Sequence, residues 1–290
     1  MSAFEACHPA VSFFFFVIVI AGTVWFQHPL FLAVSFFAAL LHVLYLKKRD
    51  KKRLGLFFMV PAFFIIAVIN PLFSHRGVTI LWYFGDNPIT MESILYGISA
   101  AMMLMTVLLW FISYNKIITS DKFLYLFGKL SPAVALIFSM SLRLVPKIKH
   151  QANVIAACQK GIGKGLSTGN FIQRIESGGQ MLSSLTTWTL ENAIETADSM
   201  KARGYGLHGR STFSLYRFTA RDTICGIGLL LLSGSVILMG VRGMMFFQYY
   251  PFLKSAQNTS VVFASVFWAI ICCFPLILQV QEEIRWTFLR

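Results

Sequence analysis

The sequence predicts an all-α, polytopic membrane protein with about six transmembrane helices and long cytoplasmic helices between the fourth and fifth spans. Of its 290 residues, 57% are hydrophobic and only 13% are charged, about half the charged share of a typical globular domain. Apolar runs of about 20 residues, the length that crosses a bilayer, recur along the chain. The main interruption is the basic stretch from Arg143 to Arg221.

The predicted spans are 9–26, 29–46, 55–73, 91–113, 223–243 and 259–280. The first two are separated by Gln27-His28-Pro29 and form a tight helical hairpin, in which Pro29 suits the first turn of the second helix. The segment 1–5 lacks the basic region of a signal peptide, so we expect the first apolar run to remain as a span.

The distribution of basic residues predicts the orientation in the membrane. The run Lys47–Arg53 is expected in the cytoplasm, which places the N-terminus inside, 74–90 outside and 116–221 inside. This topology accounts for the net charge of +13 and makes the lipid bilayer, rather than nucleic acid, the expected partner. The domains are then 1–116 (N-terminal spans), 117–221 (a cytoplasmic domain) and 222–290 (C-terminal spans).

Segment 123–144 is apolar enough to resemble a further span. Lys129, Ser131-Pro132 and the serines at 139 and 141 interrupt it. We therefore predict a pair of helices lying along the inner face of the membrane.

Two long amphipathic helices are predicted to follow. The first runs from Val145 and ends at the glycine-rich segment 161–165, because glycine supplies the left-handed turn that stops a helix. The second runs from near Asn170 to Arg203. One stripe of the second helix is rich in small residues: Ile175, Gly178, Gly179, Leu182, Leu185, Thr189, Ala193, Ala197 and Met200. Such a stripe lets another helix pack closely; the alternative is that both are ordinary surface helices of a loop.

Motifs for chemistry are lacking. The sequence has neither a phosphate-binding loop nor His-Glu-x-x-His, and its five cysteines have no spacing typical of zinc sites or disulfide frameworks. We predict a non-catalytic chain with no catalytic residue, metal or cofactor of its own. Ionisable residues are almost absent from the spans, where a secondary transporter keeps its coupling-ion site. Transport would therefore need energy from a partner.

Two other functions stay open. An autonomous channel or carrier would use the basic loop only to set topology, and would need polar residues along a pathway. A membrane enzyme acting on lipids could use residues at the inner face, namely Arg143, His150, Arg174 and Glu191.

Four segments match a known family in order and context. They are His8-Pro9, residues 70–77 together with 89–97, Ser141-Leu142-Arg143-Leu144-Val145-Pro146, and Ala202-Arg203-Gly204. By these segments nearly the whole chain resembles the transmembrane T component of energy-coupling factor (ECF) importers of vitamins and metals, the EcfT or CbiQ-like family.

The resemblance implies a coupling subunit in the cell membrane of a bacterium or archaeon. Its partners would be two ABC-type ATPases, which bind ATP and magnesium, and a small membrane S component, which binds the substrate. In this family, two coupling helices end in Ala-Arg-Gly-like signatures that dock into grooves on the two ATPases.

The docking residues implied are Ala202, Arg203 and Gly204 at the second helix, and Lys160, Gly161, Ile162 and Gly163 at the first. The first signature lacks its arginine, so we expect one ATPase to be held by Arg203 and the other by packing and lysine. A cation is favoured at a helix C-terminus, and the arginine fork can also reach a carboxylate. The expected interface with the S component consists of Gly178, Gly179, Leu182, Leu185, Ala193 and Ala197.

Overall fold

The structure is a computed structural model that describes residues 4–49, 59–74, 77–84, 87–128, 131–165, 169–208, 216–243, 245, 247–255 and 258–288. These residues form nine α-helices and two short antiparallel hairpins. The helices are α1 (Pro9–Trp25), α2 (Pro29–Arg49), α3 (Met59–Phe73), α4 (Met91–Ile117), α5 (Ser120–Gly128), α6 (Pro132–Gly161), α7 (Phe171–Ala202), α8 (Ala220–Val241) and α9 (Asn258–Phe288). The strands are β1 (Ile80–Phe84) paired with β2 (Asn87–Thr90), and β3 (Phe247–Gln248) paired with β4 (Lys254–Ser255).

The predicted membrane helices are confirmed. Four of them, α2, α4, α8 and α9, are long and apolar enough to cross a bilayer, and the shorter α1 and α3 are also apolar. Residues 50–53 of the predicted basic run and 55–58 of the predicted third span lie outside the described residues. The two β-hairpins were not predicted from the sequence, which indicated helices only.

The chain divides into two compact units. The membrane unit comprises Met1–Phe123 and Tyr216–Arg290, and the coupling unit comprises Leu124–Leu215. The coupling unit falls inside the predicted cytoplasmic domain 117–221, whose exact bounds remain a prediction.

The membrane unit has a continuous aromatic core. Helix α4 packs against α1, α2 and α3, while α9 packs against α2 and α8. Phe15, Phe16, Trp110 and Trp268 are almost completely buried between these helices. The ring centroids of Phe15 and Trp110 lie 5.7 Å apart in an edge-to-face arrangement, a favoured geometry for aromatic pairs.

Polar side chains inside this core bond to one another. The Trp110 Nε1–H donates to Ser35 Oγ at 3.1 Å, and Ser35 Oγ lies 2.9 Å from Thr23 Oγ1. His42 Nδ1 lies 3.0 Å from Ser113 Oγ. Because hydrocarbon offers no competing water, such pairs link helices α1, α2 and α4 at specific positions.

Asp222, at the start of α8, is buried and acts as a hydrogen-bond acceptor. Its Oδ1 accepts from the backbone N–H of His8 at 3.0 Å, and its Oδ2 accepts from the Thr219 hydroxyl at 2.7 Å. The carboxylate therefore stabilises the N-terminus of α8, where negative charge is favoured. Its hydrogen bond to the His8 N–H also holds the backbone just before α1.

The coupling unit corrects one prediction. Segment 123–144 is not a separate pair of helices along the membrane, because its second half belongs to the single helix α6, which begins at Pro132 and continues to Gly161. The predicted break at Ser131-Pro132 is present, with Pro132 in the first turn. Beyond it the predicted interruption at Ser139 and Ser141 does not occur, since the Ser141 hydroxyl donates to the Ile137 carbonyl of the same helix at 2.8 Å. Pro146 is also accommodated inside the helix, so the helix continues past the predicted start at Val145.

Candidate partner-docking site

The ends of α6 and α7 have the same hydrogen-bonded geometry. At α6, the Gly163 N–H donates to the Lys160 carbonyl at 3.1 Å and the Lys164 N–H donates to the Gln159 carbonyl at 2.9 Å. At α7, the Gly204 N–H donates to Lys201 at 2.9 Å and the Tyr205 N–H donates to Met200 at 3.0 Å. These are the two bonds of a Schellman motif.

The shared geometry aligns the two predicted signatures residue by residue. Gly163 has φ 74° and Gly204 has φ 78°, a left-handed conformation in which glycine is strongly favoured. Counting back from these glycines, Ile162 and Arg203 are both C-cap residues. Gly161 and Ala202 are both the last helical residues.

The two ends differ in what they expose. Ile162 is 75% exposed, so the first end presents an apolar side chain with Lys160 and Lys164 beside it. At the second end Arg203 is exposed and Leu207, three residues beyond Gly204, is 73% exposed. The first end can offer packing and flanking ammonium groups, whereas the second can offer a guanidinium fork next to apolar surface.

Both helices leave most of their side chains exposed within the described part of the chain. Helix α6 has 30 residues and none of them is buried. Helix α7 has 32 residues and its only buried one is Ser177. Helices this long, about 45 Å at 1.5 Å per residue, are typical of elements that complete their packing with a partner.

The predicted stripe of small residues lies partly on the covered side of α7 and partly on its open side. Gly178 and Leu185 are half-buried, while the other four residues of the predicted interface are exposed, namely Gly179, Leu182, Ala193 and Ala197. No described atom lies within 4 Å of where a Cβ on Gly179 would be. No helix therefore uses the small residue at 179 for close approach within the described residues.

Two open grooves lie between α6 and α7, each including one helix end. The first, of about 810 Å³, contains Ile162 and Lys164 together with Gln159 and Ser183. The second, of about 700 Å³, contains Arg203 and Met200 together with Arg143 and Lys147 of α6. Of the seven predicted docking residues, the two C-cap residues Ile162 and Arg203 line these grooves, one in each, whereas the other five are not among the lining residues.

Arg143 and Lys147 are the residues that sequence reasoning did not assign to docking. They stand one helical turn apart on α6, in the groove that holds Arg203. A sequence signal for Arg143 exists, because this residue belongs to the segment 141–146, which is one of the segments that carry the family resemblance. Of the four residues considered for a lipid enzyme, Arg143 alone is among those lining either groove.

Comparisons with known proteins agree with the family resemblance. The model of the CbiQ family, described as cobalt transport protein, matches residues 6–215. The chain is 28% identical over 228 residues to the energy-coupling factor transporter transmembrane protein EcfT of Streptococcus thermophilus, covering 72% of this chain and 83% of that protein. It is 30% identical over 237 residues to EcfT of Listeria innocua, covering 76% and 86%. It is 26% identical over 226 residues to EcfT of Staphylococcus aureus, covering 72% and 82%.

Proposed function

Since this chain belongs to the CbiQ family, we propose that it is the EcfT-type transmembrane coupling component of an energy-coupling factor transporter, with the ends of α6 and α7 as its docking points for two ATPases. The chain is a non-catalytic, multi-pass membrane protein. ATP and magnesium belong to the ATPases, and the substrate belongs to a separate small membrane S component.

The observation that carries this proposal is the repeated helix end. Two long helices with uncovered faces stop in the same Schellman motif, and each exposes its C-cap side chain beside a groove. A single such end is a common helix stop. Two on one unit, at the residues that the family resemblance names, support a pair of equivalent contacts with two similar partners.

The proposed mechanism uses the ends of α6 and α7 as fixed contacts with the two ATPases. ATP-driven closure of an ATPase pair would move its two grooves toward each other. Helix ends fixed in those grooves would shift with them, and rigid helices would carry the displacement along their length to the S component. The exposed small residues of α7 suit that contact, because short side chains allow close packing and sliding.

Docking is proposed to be asymmetric. Arg203 lies in one groove with Arg143, Lys147 and the carboxylate of Glu195, so this groove offers an excess of positive charge to an acidic surface on one ATPase. The opposite end offers Ile162 and lysines. The coupling unit and the N-terminus are proposed to lie in the cytoplasm, as the basic residues of 47–53 favour.

Co-expression with the two ATPases and the S component, followed by affinity purification through this chain, tests the proposal. Arg203→Glu is expected to abolish recovery of at least one ATPase and ATP-driven uptake, because it places a like charge against an acidic groove. Ile162→Arg is expected to keep or strengthen assembly.

Arg242→Glu is the matched control. Arg242 is also an exposed C-cap residue followed by a glycine of positive φ, Gly243 at 73°, but it ends α8 in the membrane unit. The control reverses the same charge in the same local geometry, and we expect normal assembly and uptake. Full uptake by Arg203→Glu would refute the docking role, and equal loss in both variants would indicate a general effect of charge reversal.

A further inference from the structure

The β1–β2 hairpin, strands Ile80–Phe84 and Asn87–Thr90, is held by hydrogen bonds where α3 ends and α4 begins. The Met91 N–H donates to the Thr79 carbonyl at 3.0 Å, and the Thr79 hydroxyl donates to Glu92 Oε2 at 2.8 Å. The Ser93 hydroxyl donates to the Ser74 carbonyl at 2.6 Å. Glu92 is only 3% exposed, so its carboxylate is fixed at the base of the hairpin.

Gly77 shows how tightly this base is packed. A Cβ at this position would lie 2.6 Å from both Glu92 Oε2 and Thr90 Oγ1, which leaves no room for a side chain. The base of the hairpin is therefore closely packed, and β2 contacts both α3 and α4.

Strand β1 exposes apolar side chains on both of its faces. The register of β1 against β2 shifts between Ile80 and Trp82, so Leu81 interrupts the regular alternation of side chains. Beyond this shift, Trp82 and Tyr83 pair with consecutive residues of β2, and their side chains point to opposite faces. All four are exposed, Trp82 at 76% and Leu81 at 61%. A hairpin surrounded by water has at least one polar face, and β1 has none among its described side chains.

Exposure of apolar side chains on both faces of β1 favours contact with lipid over contact with a docked protein. A protein partner covers one face of a ribbon, whereas lipid can reach both. Tryptophan and tyrosine concentrate at the membrane–water boundary, where their rings are partly apolar and their N–H and O–H groups remain hydrated.

A membrane helix next to the hairpin also exposes apolar side chains. Along α3, Phe64, Val68, Leu72 and Phe73 are exposed, and α3 contacts both α4 and β2. The exposed apolar side of α3 thus lies close in sequence to the hairpin, although Ser74 and the exposed Thr79 separate the two apolar surfaces.

We propose that the β1–β2 hairpin inserts Trp82 and its neighbours into the headgroup–acyl boundary of the lipid bilayer and thereby anchors the α3–α4 end of the membrane unit. The ligand is the lipid phase itself, contacted on both faces of the ribbon.

Tryptophan fluorescence of the full chain reconstituted in vesicles of brominated phosphatidylcholine, which quenches on contact, tests the proposal. The chain has six tryptophans. Trp82→Phe is expected to remove a quenchable component similar to that removed by Trp25→Phe, since Trp25 is 82% exposed at the end of membrane helix α1. The double variant Trp82→Phe/Tyr83→Trp is expected to restore quenching from the opposite face.

Aqueous iodide supplies the opposing measurement. If Trp82→Phe lowers iodide quenching and leaves lipid quenching unchanged, the hairpin lies in water and the proposal fails. If the double variant does not recover lipid quenching, only one face contacts lipid and the two-sided insertion is wrong. If neither quencher reaches Trp82 in the complex purified with its ATPases and S component, a protein covers the hairpin and the proposal also fails.

Discussion

The membrane unit and the coupling unit are both helical, but they are stabilised in different ways. In the membrane unit, large side chains such as Trp110, Trp268 and Leu229 are essentially inaccessible. In the coupling unit, α6 buries no residue and α7 buries only Ser177 among the described residues. The membrane unit has a buried core within the chain although many of its outer apolar side chains are exposed, whereas the coupling unit has almost no buried residue among those described.

This difference indicates where the chain is tolerant of change. Substitutions of buried side chains in the membrane unit act first on folding, because their contacts are internal. Substitutions on the coupling helices act first on assembly, because their contacts must come from other chains. Paired substitutions of the same type in the two units can therefore test the comparison directly.

The largest expected effect comes from shortening a leucine. Leu229 on α8 is fully buried, whereas Leu182 on α7 is 68% exposed. We expect Leu229→Ala to lower the free energy of unfolding by about 2–5 kcal/mol and Leu182→Ala to change it by less than about 0.5 kcal/mol. Unfolding of each purified variant in mixed micelles, followed by fluorescence, measures both values.

Leu182→Ala is expected to weaken recovery of the S component instead. Equal destabilisation of the free chain by the two substitutions would show that α7 is packed internally after all, and the comparison between the units would not hold.

Adding a methyl group to a helical glycine gives a smaller effect of the same kind. A Cβ on Gly97 of α4 would lie 2.8 Å from the Ala67 carbonyl of α3. Gly97→Ala is expected to cost about 1–3 kcal/mol from overpacking. Gly179→Ala meets no described atom within 4 Å and is expected to stabilise free α7 by up to about 1 kcal/mol.

The assembled complex separates the two roles of Gly179. If the S component packs against the stripe of small residues, Gly179→Ala weakens assembly while the thermal stability of the free chain stays the same or rises. Unchanged assembly and uptake would remove Gly179 from the proposed interface.

The smallest expected effect concerns the helix ends. Gly204→Ala forces a side chain into φ 78°, where its Cβ would also lie 3.1 Å from Leu207 Cδ1, at a cost of about 1–2 kcal/mol. Gly161→Ala is the control, because Gly161 is helical and no described atom lies within 4 Å of the added methyl. It is expected to stabilise α6 slightly.

Hydrogen exchange at the last turn of α7 measures this change. In Gly204→Ala, we expect the backbone amides of residues 204 and 205 to exchange about fivefold faster or more. In Gly161→Ala, we expect the amides at the end of α6 to exchange at the rate of the unsubstituted chain. Unchanged protection in Gly204→Ala would show that the left-handed glycine does not stabilise the end of α7.

Local signals explain what could be predicted. The six apolar helices follow from run length and composition, and the ends of α6 and α7 follow from glycines that allow positive φ. The break before α6 follows from Ser131-Pro132, because proline suits the first turn and interrupts what precedes it.

Other features depended on contacts distant in sequence. The continuous helix from Pro132 to Gly161 was missed, because Ser139 and Ser141 indicated an interruption before Val145, and residue type alone does not show that a serine stays inside a helix. Glu92 and Asp222 lie in the first turns of α4 and α8, but their partners Thr79 and the His8 N–H lie 13 and 214 residues away in sequence. The grouping of Arg143 and Lys147 with Arg203 likewise requires the packing of α6 on α7.

By itself the sequence determined which segments are apolar enough for the membrane, where the two long helices stop, and which family the chain resembles, because each of these rests on residue type and local order. Only the tertiary structure decided that the two helix ends are geometrically equivalent, that each opens into a groove, and that the β1–β2 hairpin exposes both faces. Those properties depend on the three-dimensional positions of hydrogen-bond partners and neighbouring side chains, which residue type and local order do not specify.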